Sequence, residues 1–137
     1  DPGFKLVREL RDREYEVIPI PGPSAVISAL SVSGIPTDKF TYLGFLPKSD
    51  VKRKKILSEY LSIQTSIVLY ESPNRLTKLL NVLKDVFGEK KIFIARDMTK
   101  LRERFDYGNI SDVISKYEKD MFDVDPHGEY VVILENK

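Results

Sequence analysis

Apolar residues recur along the chain with two different spacings, which predict strands and helices in turn. Residues 66–70 (Ser-Ile-Val-Leu-Tyr) form an unbroken apolar run, typical of a strand that is buried on both faces. Between Pro73 and Gly88 the leucines return every three or four positions, which indicates a helix with one buried face that begins at a proline and ends at a glycine. The same criteria predict strands at 15–20, 40–46, 91–95, 102–107 and 130–135, and helices at 4–13, 24–33, 110–117 and from a cap at Ser49 or Asp50 to Leu61.

This alternation of helices and strands predicts the fold class. The expected architecture is α/β, a single domain with a mixed, mostly parallel sheet flanked by helices. The 137 residues fit one domain. The chain contains no repeat, low-complexity tract or internal linker, so no second domain is expected within it.

Composition changes this picture only by exclusion. The 22 Lys and Arg residues nearly balance the 21 Asp and Glu residues, so an RNA-binding interpretation has to depend on local clusters. The absence of cysteine excludes disulfides, thiolate metal sites and a cysteine nucleophile. Asp123 and Asp125 lack convincing metal-ligand spacing, and His127 is interpreted as a turn residue, so no metal is expected. No apolar run approaches 18 residues, and a cytoplasmic protein that does not contact a membrane is expected.

The segment that leads into the second predicted helix is a candidate ligand edge. An apolar strand runs into Pro21-Gly22-Pro23, Ser24 is placed to cap the helix, and Gly34 to end it. Because neither proline has an N–H group, the turn is a poor phosphate cradle. Its carbonyl groups could accept hydrogen bonds from a ligand amine or ammonium. A rigid strand-to-helix connection remains the alternative.

Other candidates follow the predicted central strands, because ligands of open α/β sheets bind at the carboxyl ends of strands. Glu71 follows the 66–70 strand, where it could act as a general base or could pair with Arg75 and fasten a helix to the sheet. Asp97 follows the 91–95 strand beside Arg96 and Lys100, and the same two interpretations apply to it.

The densest group of positive charges lies at the start of the basic helix. Lys48, Lys52, Arg53, Lys54 and Lys55 could neutralise several phosphates of a nucleic acid. The alternative is an ordinary solvated helix face, with the apolar residues of the same helix turned inward.

Six short segments, taken together and in this order, resemble one known family. They are Asp1-Pro2-Gly3, Pro19-Ile20-Pro21-Gly22-Pro23-Ser24-Ala25, Gly44-Phe45-Leu46-Pro47, Tyr70-Glu71-Ser72-Pro73-Asn74-Arg75, Ala95-Arg96-Asp97-Met98-Thr99-Lys100 and Gly128-Glu129-Tyr130-Val131-Val132. The chain resembles the C-terminal domain of the 16S rRNA (cytidine-2′-O)-methyltransferases, which belong to the tetrapyrrole (corrin/porphyrin) methylase superfamily.

The resemblance implies that residues 1–137 are the C-terminal domain of a two-domain methyltransferase whose N-terminal domain is absent from this chain. The implied activity is transfer of a methyl group from S-adenosyl-L-methionine to the ribose 2′-hydroxyl of a cytidine in 16S rRNA of the small ribosomal subunit. Because the cofactor lies between two domains in this superfamily, the fragment is expected to be inactive alone. A homodimer is a further expectation.

The resemblance also implies which residues bind the cofactor and the RNA. Glu71 is the first candidate for the general base and Asp97 the second. The expected cofactor-binding residues are Pro21, Gly22, Pro23, Ser24, Ala25, Tyr70, Glu71, Met98, Glu129 and Tyr130, and the expected RNA-binding residues are Lys52, Arg53, Lys54, Lys55, Arg75 and Lys100. Two alternatives stay open, a methylase of a tetrapyrrole or other small molecule, and a non-catalytic RNA-binding or dimerisation module.

Overall fold

The computed structural model describes residues 3–119 and 128–137. In this part of the chain it has an α/β fold, as predicted. The elements are α1 (Gly3–Asp12), α2 (Ala25–Val32), β1 (Phe40–Phe45), α3 (Asp50–Ser58), β2 (Ser66–Glu71), α4 (Pro73–Phe87), β3 (Lys91–Arg96), β4 (Arg104–Asn109), α5 (Ile110–Lys119) and β5 (Tyr130–Leu134). The interpretations of Asp1, Pro2, Asp123, Asp125 and His127 fall outside the described residues.

One mixed sheet joins the strands in the order β1-β2-β5-β3-β4. Only β1 and β2 pair in parallel, whereas β5 is antiparallel to both β2 and β3, and β4 is antiparallel to β3. The prediction of a mixed sheet is confirmed. The prediction that the sheet is mostly parallel is wrong for hydrogen-bonded neighbours, because one of the four strand pairs is parallel and three are antiparallel. The reason is that β5 runs in the reverse direction between β2 and β3, and its unbroken apolar sequence carries no information about direction.

The two faces of the sheet are covered unequally. Helices α3, α4 and α5 pack on one face, where Leu57, Leu80 and Ile110 are fully buried. On the other face α2 packs against the centre of the sheet through Ala29 and Leu30. Because β5 is buried along its whole length, the sheet is held at its centre by apolar contacts on both sides.

The predicted strand at 15–20 is not formed, and residues 3–20 are exposed except for the half-buried Leu10 and Val17. Helix α1 has no buried residue, and Ile20 is 90% exposed. A strand needs a neighbour to satisfy its backbone hydrogen bonds, and no strand of the described residues pairs with this segment. Ser24 does occupy the position before α2, although its side chain makes no capping hydrogen bond. Gly34, with a φ of 68°, follows the end of that helix as predicted.

A buried carboxylate fastens α5 to β4. Asp106 accepts a hydrogen bond of 2.8 Å from the Tyr117 hydroxyl and another from Lys116, and Arg104 Nε lies 3.2 Å away. Burial raises the pKa of Asp106, but the hydrogen bonds from Lys116 and Tyr117, with the charge of Arg104, outweigh it and leave the pKa below its usual range. Burial beside this carboxylate also raises the pKa of Tyr117.

We expect the packed and unpacked helices to respond differently to the same substitution. Leu80→Ala in α4 should lower the free energy of unfolding by about 2–5 kcal/mol, because it leaves a cavity in the core. Leu6→Ala in α1, where the leucine is 64% exposed, should change it by less than about 0.5 kcal/mol. Urea denaturation followed by circular dichroism measures both, and equal losses would contradict the packing described here.

The lowered pKa of Asp106 predicts a pH-dependent contribution to stability. A carboxyl group whose pKa is lower in the folded state stabilises the fold above its unfolded pKa of about 3.9, and the stabilisation is lost as the pH falls through the folded value. At pH 6 the free energy of unfolding of the wild-type protein should therefore exceed that of Asp106→Asn by about 1–3 kcal/mol. The difference should shrink below about pH 4. A difference that stays constant across this range in urea denaturation would exclude the proposed ionisation.

Candidate ligand-binding cleft

A cavity of about 410 Å³ lies at one edge of the sheet, where β1, β2 and β3 end and β5 begins. Its volume falls in the range of about 300–1,000 Å³ that is typical of small-molecule sites. The rule that ligands of open α/β sheets bind at the carboxyl ends of strands, called the strand-end rule below, therefore located this cavity. The residues that line it are Ala25, Phe45, Tyr70, Glu71, Ser72, Met98, Gly128, Glu129, Tyr130 and Val131.

The cleft contains part of the predicted cofactor-binding set. Residues that line it and were predicted are Ala25, Tyr70, Glu71, Met98, Glu129 and Tyr130. Pro21, Gly22, Pro23 and Ser24 are exposed and do not line the cleft, because only the first residue of α2 reaches it. Sequence analysis missed Phe45, Ser72, Gly128 and Val131. The strand-end rule would have found Phe45, because β1 runs parallel to β2 and ends at the same edge.

The floor of the cleft contains a buried ion-pair network around Glu71. The side chain of Glu71 is fully buried and accepts a 2.8 Å hydrogen bond from Arg53 Nη2. Arg75 Nε lies 3.2 Å from the other carboxylate oxygen, which also accepts a hydrogen bond from the Ser72 backbone N–H. The alternative in which Glu71 pairs with Arg75 and joins helix to sheet is therefore the one observed.

The same two arginines hold the loop after β1. Arg75 Nη2 donates to the Leu46 carbonyl at 2.6 Å, and Arg53 Nε donates to the Pro47 carbonyl at 2.8 Å. Arg53 is only 1% exposed, so it does not belong to the exposed basic surface with which the sequence grouped it. A helical face shared with Leu57, four residues later, was the available signal for its burial.

Asp97 binds the main chain of Glu129, which lines the cleft. It lies just after β3 with a positive φ of 49°, and its carboxylate accepts a hydrogen bond from the Glu129 N–H at 3.0 Å. In return the Asp97 N–H donates to the Glu129 carbonyl at 2.9 Å. Arg96 Nε lies 3.4 Å from the same carboxylate, which is buried. This reciprocal pairing fixes the main chain that leads into β5, so the carboxylate has a structural task.

The Tyr130 hydroxyl is a buried polar group with no hydrogen-bond partner in residues 3–119 and 128–137. Tyr130 lines the cleft and is 2% exposed. Burial raises the pKa of this phenol, so the group stays protonated and able to donate. Unpartnered buried polar groups are rare in native proteins, and this one belongs to a residue that lines the cleft.

The remaining predicted RNA-binding cations differ in their partners. Lys54 pairs with Asp85 at 2.7 Å, and Lys100 pairs with Glu129 at 2.9 Å beside the cleft. Lys52 and Lys55 are exposed on α3. Among the described residues, no group of His, Asp and Glu side chains is arranged to hold a metal ion. None of the helices in this part of the chain has the length and apolar character needed to cross a membrane.

These features define the class of protein, an α/β domain with a small-molecule cleft at its strand ends. Residues 1–114 match the family model of the tetrapyrrole (corrin/porphyrin) methylases, and the chain belongs to this family. The resemblance to the tetrapyrrole methylase superfamily found in the sequence is thereby confirmed. The ribosomal RNA small subunit methyltransferase I of Thermotoga maritima is 42% identical over 137 residues, which cover all of this chain and 60% of that protein.

Solved structures agree with this assignment at the level of the fold. The methyltransferase CobJ aligns with a TM-score of 0.65 and 20% identity, covering 99% of this chain and 61% of that one. The uroporphyrin-III C-methyltransferase of Thermus thermophilus, solved with S-adenosylhomocysteine, aligns with a TM-score of 0.53 and 13% identity over 96% of this chain and 58% of that one. The chain spans about half the length of its curated relatives, from 45% to 60%.

The ion-pair network predicts a large effect of removing its central charge. Glu71→Gln should lower the free energy of unfolding by about 3–5 kcal/mol, because the buried Arg53 guanidinium then keeps only the exposed Asp50, 3.7 Å away, as a counter-charge. Urea denaturation at pH 7 measures the loss. The exposed Glu59→Gln serves as a matched control and should stay within about 0.5 kcal/mol of wild type. A loss at position 71 no larger than that of the control would show that the network is unimportant.

Proposed function

We propose that the chain is the C-terminal half of an S-adenosyl-L-methionine-dependent methyltransferase that methylates the ribose 2′-hydroxyl of a cytidine in 16S rRNA. The observation that carries this proposal is the cleft at the strand ends, found in a chain that is 42% identical to a named rRNA methyltransferase. The partner is then the small ribosomal subunit, and a cytoplasmic location follows from that substrate.

The unpacked N-terminal region supports a two-domain arrangement. Helix α1 buries none of its residues, and Ile18 and Ile20 in the segment that follows are 71% and 90% exposed. Apolar surface of this kind marks a protein–protein or domain contact. Since the relatives are about twice as long, we assign this region to the contact with a preceding N-terminal domain. Residues 1–137 then form the C-terminal domain. Whether the whole protein is a homodimer stays a prediction.

The cleft has the size and the donor needed for the cofactor. S-adenosyl-L-methionine, when bound, supplies a methyl group that is already activated by the positive charge on sulfur. We expect the unpartnered Tyr130 hydroxyl to donate to a polar group of this ligand, and Ala25 and Met98 to pack against its apolar parts. The Pro21–Ser24 turn remains a candidate only for contacts made when the other domain is present.

The protein's main task would be to align the ribose oxygen with the methyl group and to exclude water. Such alignment is worth about 7–11 kcal/mol. Glu71 and Asp97 were the candidates for the general base, but each carboxylate is buried and engaged by arginine and by main-chain N–H groups. We therefore assign both of them as positioning residues.

The exposed lysines of α3 support RNA as the substrate. Lys52 and Lys55 can neutralise phosphates, and Lys54 and Lys100 can do so if they exchange their carboxylate partners for phosphate. Arg53 and Arg75 act through the loop after β1 rather than on RNA directly. A tetrapyrrole methylase was the second candidate; the solved neighbours share only the fold with this chain, and the relatives of higher identity favour rRNA instead. A non-catalytic module is a third, and the cleft argues against it.

The function is tested with the longer protein that includes the preceding half. Incubation with methyl-labelled S-adenosyl-L-methionine and small ribosomal subunits, followed by digestion to nucleosides and mass spectrometry, should reveal 2′-O-methylcytidine. The isolated chain serves as the control and should yield none. Methylation of a tetrapyrrole by the longer protein, with no labelled RNA, would replace the proposal by its alternative.

Removal of the Tyr130 hydroxyl tests the cofactor site itself. Tyr130→Phe should leave the free energy of unfolding unchanged or slightly higher, because the lost group has no protein partner. The affinity of the longer protein for S-adenosylhomocysteine should fall by about 0.5–1.5 kcal/mol, measured by calorimetry. Tyr107→Phe, on the exposed edge strand, is the matched control. Unchanged affinity at position 130 would remove this hydroxyl from the site.

A further inference from the structure

Phe45 presents a large aromatic ring to solvent at the mouth of the cleft. It is the last residue of β1, lines the cleft, and is 63% exposed. Most of the other lining residues are buried or half-buried, so this ring lies where the cleft opens. What distinguishes Phe45 from the other exposed aromatic residues is this position, because among them it alone lines the cleft in the described part of the chain.

The ring is held in place before any ligand binds. Phe45 meets the Tyr70 ring edge-on at 5.6 Å between centroids, and Tyr70 meets Tyr42 in the same way at 5.1 Å. Gly44, with a φ of 63°, forms the irregularity in β1 that directs the next side chain. The loop that follows is fixed through its carbonyls by Arg53 and Arg75. Little conformational entropy would therefore be lost on binding.

The chemistry around this ring suits an unpaired nucleotide. Lys48, three residues further along the loop, is exposed and has no carboxylate partner among the residues described. Lys52 follows on the first turn of α3, also exposed. Proteins that bind single-stranded nucleic acids combine an aromatic face, on which a base stacks, with nearby cations that neutralise the adjacent phosphates. Proteins that recognise the unpaired bases of RNA loops also stack those bases on aromatic side chains.

We propose that Phe45 stacks on an unpaired base of the RNA substrate and so positions the neighbouring ribose at the cleft. The inference rests on the proposed function and deepens it, because it names a substrate-contacting residue that the predicted RNA-binding set lacks. Arg53 and Arg75 act as positioning residues for this platform through the Leu46 and Pro47 carbonyls.

The chain offers a direct probe, because it contains no tryptophan. In Phe45→Trp the single indole should keep RNA affinity within about twofold of wild type or improve it, and its fluorescence should be quenched when a short single-stranded RNA with a central cytidine stacks on it. Phe40→Trp is the matched control, at the opposite end of the same strand and outside the cleft, and should show no quenching.

The affinity of the chain for the same labelled RNA, measured by fluorescence anisotropy, gives the second readout. Phe45→Ala should weaken binding about 5- to 150-fold, the effect of losing one stacked base. Phe40→Ala should stay within twofold. The inference is overturned if Phe45→Ala also stays within twofold, if both variants lose affinity equally, or if the wild-type chain binds no RNA.

Binding of S-adenosylhomocysteine by the longer protein separates this inference from the proposed function. Because Phe45 also lines the cleft, the inference expects Phe45→Ala to weaken binding of RNA by a larger factor than it weakens binding of S-adenosylhomocysteine. If the variant loses affinity for S-adenosylhomocysteine and keeps affinity for RNA, the ring belongs to the cofactor site, and the inference fails while the methyltransferase function stands. If the wild-type longer protein transfers no methyl group to rRNA, the proposed function fails instead.

Discussion

The buried carboxylate of Glu71 is the interaction on which the rest of the site depends. A charge removed from water needs counter-charges and hydrogen bonds, and here Arg53 from α3 and Arg75 from α4 supply them at the end of β2. Each guanidinium also binds a main-chain carbonyl of the loop after β1. A single negative charge thus links two strands and two helices and sets the shape of the cleft floor.

The two buried acidic residues at the cleft, Glu71 and Asp97, are used for geometry. Asp97 exchanges hydrogen bonds with the main chain of Glu129 and so fixes the wall opposite Glu71. In the methyl transfer that we propose, the donor is already activated, so placing the reacting atoms would contribute more than proton transfer. The Tyr130 hydroxyl, which has no partner among the described residues, belongs to a cleft-lining residue that pairs with Glu71 across the sheet.

The sequence predicted those features that depend on local pattern. The unbroken apolar run of β2 and the proline and glycine that bound α4 gave both elements within about a residue, and the rule of strand ends located the cleft. Features that depend on residues far apart in the sequence were not predicted. The 15–20 segment has strand composition but no neighbouring strand, and the direction of β5 is set by its insertion between two other strands. Arg53 stands within a run of cations, and its ion pair with Glu71, a residue distant in sequence, is what the local pattern could not show.

The central position of β5 has a consequence for how the protein is made. Its residues, Tyr130–Leu134, come after all other strands in the chain, yet they hydrogen-bond to both β2 and β3 and separate them. During synthesis from the N-terminus, the edges of β2 and β3 that pair with β5 therefore stay without this partner until β5 has been translated. Because Gly128, Glu129, Tyr130 and Val131 line the cleft, it is complete only after this strand has been translated.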